Sequence, residues 1–172
     1  MLERRSALAN AAPFRSKVLE LAEAPDFALV QVAGEETATA ARFGALPEKI
    51  RIALARDGQT IFRVGPRQFW FVGPMGADIA NGLADTVAIT PLGNSRTRIL
   101  ISGAAARDVL AKGVAVDFHH GAFTPDQFAL TGLHHTPVLV HCIAADAFHL
   151  YAMRTFSMSV WEWLVDAARE FA

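Results

Sequence analysis

The chain has 172 residues, of which 52% are hydrophobic and 19% are charged, and its 16 basic and 17 acidic side chains give a formal net charge of −1. This length suits one domain of ordinary size or two small layers that share a core. The balanced and well-mixed charge excludes the basic footprint of a protein that binds nucleic acid or an anionic membrane.

The first 26 residues are predicted to form an N-terminal arm, in which Pro13 and Pro25 flank a helix-like stretch over 16–22. The start of the chain lacks the continuous apolar region of a signal peptide, and no run approaches the ~18 apolar residues of a membrane-spanning helix. The single Cys142 excludes an internal disulfide and fits a reducing compartment. We therefore expect a soluble, cytoplasmic protein.

Strands and short helices alternate over the remainder of the chain, 27–172. The segment 34–44 has glutamates at its front and a glycine at its end, an order that suits a helix. Alternation of Ile50, Ile52 and Leu54 with basic residues predicts a half-buried strand. The other elements predicted up to residue 94 are strands at 27–32, 60–64, 68–72 and 86–89 and a helix at 76–84.

The second half repeats this theme. A strand over 97–101 leads into a helix over 103–112 that Ser102 is predicted to cap and Gly113 to end. The remaining predictions are a loop at 114–127, strands at 128–133, 137–143 and 148–153, and an amphipathic helix at 157–171. Short helices interleaved with hairpins predict an α+β fold of two halves, 27–94 and 95–172, each resembling a split β-α-β-β-α-β unit.

No reactive constellation emerges from the motifs. The adjacent histidine pairs 119–120 and 134–135 have no second set of metal ligands at zinc-binding spacing. Cys142 lies within a predicted strand, where a packed core residue is the favoured interpretation over a nucleophile. The stretch 73–76 lacks the ending of a phosphate-binding loop and predicts a turn. We expect no catalytic, cofactor-binding or metal site in this chain.

The C-terminal aromatic residues are candidates for a partner interface. Trp161 and Trp163 point about 200° apart on a helix, so one is expected to seal the core while the other lies at a rim or meets a partner. Phe156 belongs to the same aromatic cluster. Arg154 precedes the helix and could pair with a carboxylate or with a partner's backbone, or remain solvated.

Several motifs together carry a family resemblance. They are 63–66 followed by 69–71, then 98–103, 106–113 with 117–119, Phe123, 137–140 and the closing 161–168. With these motifs the chain resembles, over 27–172, the gamma subunit of heterotetrameric sarcosine oxidase, a relative of folate-binding aminomethyltransferase domains. Departures at 121–128 and 153–156, and a shorter N-terminal arm, leave open a sister complex that acts on another N-methyl amino acid.

The resemblance implies a non-catalytic subunit that stabilises a multisubunit flavoenzyme for the oxidative demethylation of sarcosine. It implies alpha, beta and delta subunits as partners, with FAD, FMN, NAD and tetrahydrofolate bound by those partners and none by this chain. Two alternatives stay open at this stage. One is a folate or one-carbon binding module, with Arg98 and Trp70 near a cleft, and the other is a stand-alone aminomethyltransferase-like enzyme.

Overall fold

The computed structural model describes residues 5–77 and 87–172. Most of the helix predicted over 76–84 lies outside these residues. Among the described residues, no helix has the length and apolar character needed to cross a membrane. The strands are β1 (Phe14–Arg15), β2 (Glu20–Glu23), β3 (Phe27–Gly34), β4 (Leu54–Arg56), β5 (Gln59–Gly65), β6 (Gln68–Pro74), β7 (Val87–Pro91), β8 (Arg96–Ser102), β9 (Phe128–Leu133), β10 (Thr136–Ala144) and β11 (Ala147–Met153), and the helices are α1 (Glu36–Phe43), α2 (Ala106–Ala111) and α3 (Ser157–Ala168).

One compact unit consists of residues 26–94. Its antiparallel sheet has the order β4-β5-β6-β3-β7. Helix α1 packs on this sheet through Phe43, whose ring centroid lies 4.2 Å from that of Phe71. The helix ends at Gly44, where φ is 75° and only glycine adopts the left-handed backbone at no steric cost. The helix predicted over 34–44 is therefore confirmed.

The strand predicted over residues 50–54 is wrong over most of its length. Only its last residue belongs to β4, and Ile50 and Ile52 are exposed. Arg51 has a φ of 82°, which interrupts the extended backbone before a continuous strand can form. The alternating pattern was present in the sequence, but the backbone does not follow it.

The other compact unit joins residues 1–25 to 95–172. Its antiparallel sheet has the order β1-β2-β8-β11-β10-β9, and α2 and α3 supply the helical side of its core. Within α3, Val160, Leu164 and Ala168 recur at helical spacing and are buried, which confirms the amphipathic helix predicted there. The largest aromatic side chains of this core are Phe118, Phe123, Phe148 and Trp161.

The two units share one strand arrangement, which confirms the α+β class with two antiparallel sheets. In each unit, a central strand is followed along the chain by a short helix. Within the sheet, the same strand pairs with the second strand of a hairpin. The central strands are β3 and β8, and the hairpins are β5–β6 and β10–β11. The remaining side of the central strand is occupied by β7 in one unit and by β2 in the other.

The position of β2 corrects the predicted helix over 16–22. Leu21 is fully buried opposite Ile101 in the register between β2 and β8. A free place beside β8 gives residues 20–23 a full ladder of backbone hydrogen bonds, whereas a helix this short is marginal alone. Sheet completion therefore outweighs local helical propensity.

The start of α2 also differs from the sequence-based expectation. Ser102 is the last residue of β8, and α2 begins at Ala106 without a side-chain cap. Gly103 has a φ of 114°, and a Cβ added there would lie 2.3 Å from the carbonyl oxygen of Val18. The same carbonyl accepts a hydrogen bond of 3.1 Å from the backbone N–H of Ala105. Gly103 thus allows the N-terminal segment to lie directly against the strand-to-helix turn.

We expect Gly103→Ala to lower the free energy of unfolding by about 2–4 kcal/mol, because the added methyl group meets backbone that cannot rotate away. Gly58→Ala is the matched control, since Gly58 also has a positive φ of 74° but no non-adjacent residue of the described ranges has an atom within 4 Å of its added Cβ. That variant retains the conformational penalty alone, about 1 kcal/mol. Urea denaturation of both variants measures the difference, and equal losses would contradict the close-approach argument.

Candidate partner surface

The two tryptophans of α3 have different environments, as their helical spacing requires. Trp161 is buried in the core of its own unit and presents little surface to a partner. Trp163 is partly buried at the edge of that core. Its ring lies edge-on to the ring of His134, with centroids 5.3 Å apart.

Trp163 also explains Gly113. A Cβ added to Gly113 would lie 2.4 Å from the Trp163 ring, so the absence of a side chain lets the indole approach the backbone closely. Helix α2 already ends at Ala111, and Gly113 does not have the positive φ of a left-handed helix end. The predicted role of Gly113 as a helix terminator is therefore wrong, and close packing accounts for the residue.

Exposed apolar side chains surround the start of α3. Met153, Phe156 and Met158 are all exposed, and Phe156 has 43% of its surface accessible. We call these three residues the apolar corner. Because large side chains exposed together on one short segment are uncommon on a monomer, the corner is the strongest candidate contact surface of this unit.

The backbone under the apolar corner is held in place. The Ser157 hydroxyl donates a buried hydrogen bond of 2.6 Å to the Thr97 hydroxyl on β8. The backbone N–H of Arg154 donates to the carbonyl of Ser95 at 2.9 Å, and its guanidinium donates to the carbonyl of Arg5. Arg154 therefore joins the N-terminal segment to the start of α3. A rigid surface of this kind loses little conformational entropy when a partner binds.

A buried arginine organises the region between α2 and β9. Arg107 has a side chain only 7% exposed, and Nη1 donates to the carbonyls of Phe118 at 2.6 Å and Phe123 at 3.0 Å. Its Nε donates to the Ala145 carbonyl at 2.9 Å and lies 3.3 Å from a carboxylate oxygen of Asp146. One side chain thus fixes the loop and the β10–β11 turn together.

The loop that Arg107 holds is closely folded on itself. The Phe118 ring packs edge-on against Phe148, with centroids 5.8 Å apart. The Asp117 carboxylate accepts a hydrogen bond of 2.9 Å from the backbone N–H of His119, and His119 Nδ1 accepts one of 3.1 Å from Gly121. From the sequence, Arg107 is recognisable only as part of the motif over 106–113. The signal available was an arginine in a short helix, 106–111, in which four of the six residues are apolar.

The other residues that the sequence raised as possible reactive or binding groups have structural roles. Cys142 is fully buried, and burial raises the pKa of its thiol, so the predicted core role is confirmed. The stretch 73–76 forms the end of β6 and a turn, as predicted. In the described part of the chain, no three histidine, cysteine or acidic side chains are grouped closely enough to hold a metal ion.

The two residues proposed for a folate cleft belong to different units, and each donates a hydrogen bond to a residue of its own unit. Arg98 Nε donates to the carbonyl of Ala24 at 3.1 Å. Trp70 Nε1 donates to the Gln31 side-chain oxygen at 3.0 Å.

The face of the β8–β11–β10 sheet opposite α2 and α3 carries a histidine pair. His141 and His149 are directly opposite each other on neighbouring strands. Burial lowers the pKa of each to about 4, against a weaker opposing effect of Asp126 on His141 and with a further lowering of His149 by Arg98. Both histidines are therefore neutral in the folded chain at neutral pH.

Residues 75–170 match the model of the sarcosine oxidase, gamma subunit family. The chain is 30% identical over 146 residues to the sarcosine oxidase subunit gamma of Arthrobacter sp, covering 81% of this chain and 72% of that protein. The chain belongs to the sarcosine oxidase gamma subunit family. A second family member, from Corynebacterium sp. (strain P-1), is 29% identical over 133 residues, covering 74% of this chain and 66% of that protein.

Solved structures agree with this fold. A chain of the heterotetrameric sarcosine oxidase from Corynebacterium sp. U-96 superposes with a TM-score of 0.89 at 22% identity, over 98% of this chain and 96% of that one. The glycine cleavage system aminomethyltransferase T from Bartonella henselae superposes with a TM-score of 0.59 at 14% identity, over 86% of this chain and 45% of that one. The gamma subunit family therefore shares its fold with part of an aminomethyltransferase, as the sequence resemblance implied.

We expect Arg107→Met to destabilise the protein by at least about 3 kcal/mol, because the carbonyls of Phe118, Phe123 and Ala145 lose their buried donor. Arg15→Met serves as the control, since Arg15 is 72% exposed in an ion pair with Glu20 and should contribute less than about 1 kcal/mol. Urea denaturation and limited proteolysis of the 117–123 loop measure the effect. A loss no larger than that of the control would disprove the role of Arg107.

We also expect the free energy of unfolding to decrease as the pH is lowered from about 6.5 to about 4. In this range the unfolded chain binds protons at His141 and His149 while the folded chain does not, so each histidine contributes a slope of about 1.4 kcal/mol per pH unit. His141→Gln should flatten the profile relative to wild type, whereas His135→Gln, at an exposed turn residue, should leave the slope unchanged. Superimposable profiles for all three proteins would contradict the assignment.

Proposed function

We propose that this chain is the gamma subunit of a heterotetrameric sarcosine oxidase and that its role is to hold the assembly together. The observation that carries the proposal is the agreement with one chain of a heterotetrameric sarcosine oxidase over 98% of this chain and 96% of that one, together with family membership. Such end-to-end agreement favours the same position in an assembly of the same kind.

The proposed partners are the alpha, beta and delta subunits, and FAD, FMN, NAD and tetrahydrofolate are proposed to reside in those partners. When bound there, a flavin would supply the oxidising chemistry for the methyl group of sarcosine, and tetrahydrofolate would supply an acceptor for the one-carbon unit. This chain contributes binding surface and leaves the chemistry to the other subunits. A cytoplasmic location is part of the proposal, because the single, buried thiol of Cys142 suits a reducing compartment.

The proposed contact surface combines the apolar corner with its supports. Phe156 supplies exposed apolar area, and Trp163, further along α3, supplies a partly buried aromatic ring at the edge of the core. Arg154 joins the start of α3 to the N-terminal segment, and Trp161 supports α3 from within the core. Aromatic anchors on a rigid support are typical of the residues that contribute most to binding energy.

The substrate is proposed to be sarcosine because the family members matched here are named for it. The equivalent subunit of an enzyme for another N-methyl amino acid remains the alternative from the sequence. A folate-binding module also remains a prediction, favoured by the fold that the chain shares with aminomethyltransferase T.

The test is co-expression of this chain with the alpha, beta and delta subunits of a heterotetrameric sarcosine oxidase. We expect a stable complex that oxidises sarcosine, while the purified chain alone forms no peroxide with sarcosine. Phe156→Ser should weaken subunit association about tenfold or more, because its exposed ring would be buried at the contact. Val18→Ser is the matched control, since Val18 is 41% exposed in the same unit and lies outside the apolar corner.

Two results would contradict the proposal. One is an active complex that assembles equally well without this chain. The other is a thermal shift of the isolated chain by tetrahydrofolate, where a ligand at 100 times its Kd adds about 2.7 kcal/mol of stability. That shift would favour the folate-binding module instead.

A further inference from the structure

A second exposed apolar segment lies in the other unit, between α1 and β4. Residues 48–52 are all exposed, and we call them the Ile50 loop. Ile50 is 65% exposed and Ile52 is 41% exposed. Burying an apolar side chain of this size is stabilising, so leaving two isoleucines largely in water forgoes a substantial stabilisation. A partner that covers them would recover it.

The backbone of the Ile50 loop has a conformation that local sequence does not favour. Arg51, between the two isoleucines, has a φ of 82°. A non-glycine residue in this region is uncommon, and such strain persists where surrounding structure imposes it. Without it, the alternating residues 50–54 could extend β4, and one face of that strand would carry Ile50, Ile52 and Leu54 together. The observed backbone instead leaves both isoleucines at the surface.

The chain on both sides of the loop is fixed. Arg63 Nε donates to the carbonyl of Pro47 at 2.6 Å. The same guanidinium bonds both carboxylate oxygens of Glu36, at 2.6 and 2.9 Å, and these hydrogen bonds hold the pKa of Glu36 below its usual value. On the other side, Ala53 is buried. Because its ends are anchored, the loop would lose little conformational entropy on binding.

We propose that the Ile50 loop inserts into an apolar recess bordered by carboxylates on a partner subunit of the complex. Lys49 and Arg51 directly flank Ile50, and Glu48 is the one acidic residue of the loop, so the loop carries a net charge of +1. Carboxylates at the rim of the recess complement this charge, while its floor covers the isoleucines. The inference rests on the proposed function and adds a contact separate from the apolar corner.

A second copy of this chain is the less favoured occupant. In a two-fold contact the same patch meets itself, so Lys49 and Arg51 would face their own equivalents. Like charges brought together in this way oppose association. The loop also lies outside residues 75–170, so the family match does not by itself point to it.

The experiment measures binding of the purified full-length chain to the complex of the alpha, beta and delta subunits. Ile50→Ser combined with Ile52→Ser should raise the Kd at least tenfold. Leu130→Ser is the matched control, since Leu130 is a 50% exposed apolar residue in the other unit and should stay within twofold of wild type. Circular dichroism and thermal unfolding of each variant establish that it is folded.

A charge variant provides a second test that does not depend on the isoleucines. Lys49→Glu combined with Arg51→Glu should slow association and reverse the effect of salt on the association rate, because attraction to the carboxylates becomes repulsion. These two side chains are exposed, so the variant is expected to fold as the wild type does.

The outcomes separate this inference from the proposed function. Wild-type chain that fails to bind the other subunits overturns both. Wild-type binding with an unchanged Kd for both loop variants overturns the Ile50 loop contact alone, as does equal weakening by Leu130→Ser. Dimerisation of the wild-type chain that the double isoleucine variant abolishes would replace the partner subunit with a second copy.

Discussion

The buried guanidinium of Arg107 is the constraint on which the unit of residues 1–25 and 95–172 depends. A charge removed from water is costly unless its hydrogen bonds are satisfied, and the carbonyls of Phe118, Phe123 and Ala145 satisfy them here. These acceptors belong to two segments that lie far apart in the chain. The loop after α2 and the turn between β10 and β11 must therefore reach their positions together. Once they do, Phe118 and Phe123 are placed against Phe148 in the core.

A rigid framework of this kind suits a subunit whose proposed work is association. The apolar corner is supported by the Ser157–Thr97 hydrogen bond and by Arg154, and the Ile50 loop by Arg63. Each surface has exposed apolar atoms carried on backbone that other contacts hold still. Each lies in a different unit, which offers an assembly of several subunits two separate points of contact. The single thiol is meanwhile packed in the core, where burial raises its pKa.

The sequence-based predictions succeed where one periodic pattern decides the structure. The stripe of α3 and the alternation in β8 are examples, because burial of one face requires that spacing. The predictions fail where a segment distant in the chain offers the residues a competing contact. The segment 16–22 could have been a helix, but β8 offers a place in its sheet, and Gly113 resembled a helix end until Trp163 was found packed against it.

The sequence by itself determined the α+β class, most of the strands, the last helix and the family, because hydrophobic periodicity and local motifs are written in consecutive residues. It also identified Phe156 and Trp163 as candidates for a partner surface. Only the tertiary structure decided that Trp161 is a core residue, that Arg107 links the loop to the β10–β11 turn, and that Ile50 and Ile52 are exposed. Each of these outcomes depends on which distant atoms surround a side chain or restrict a backbone angle, and neighbouring residues in the chain do not specify that.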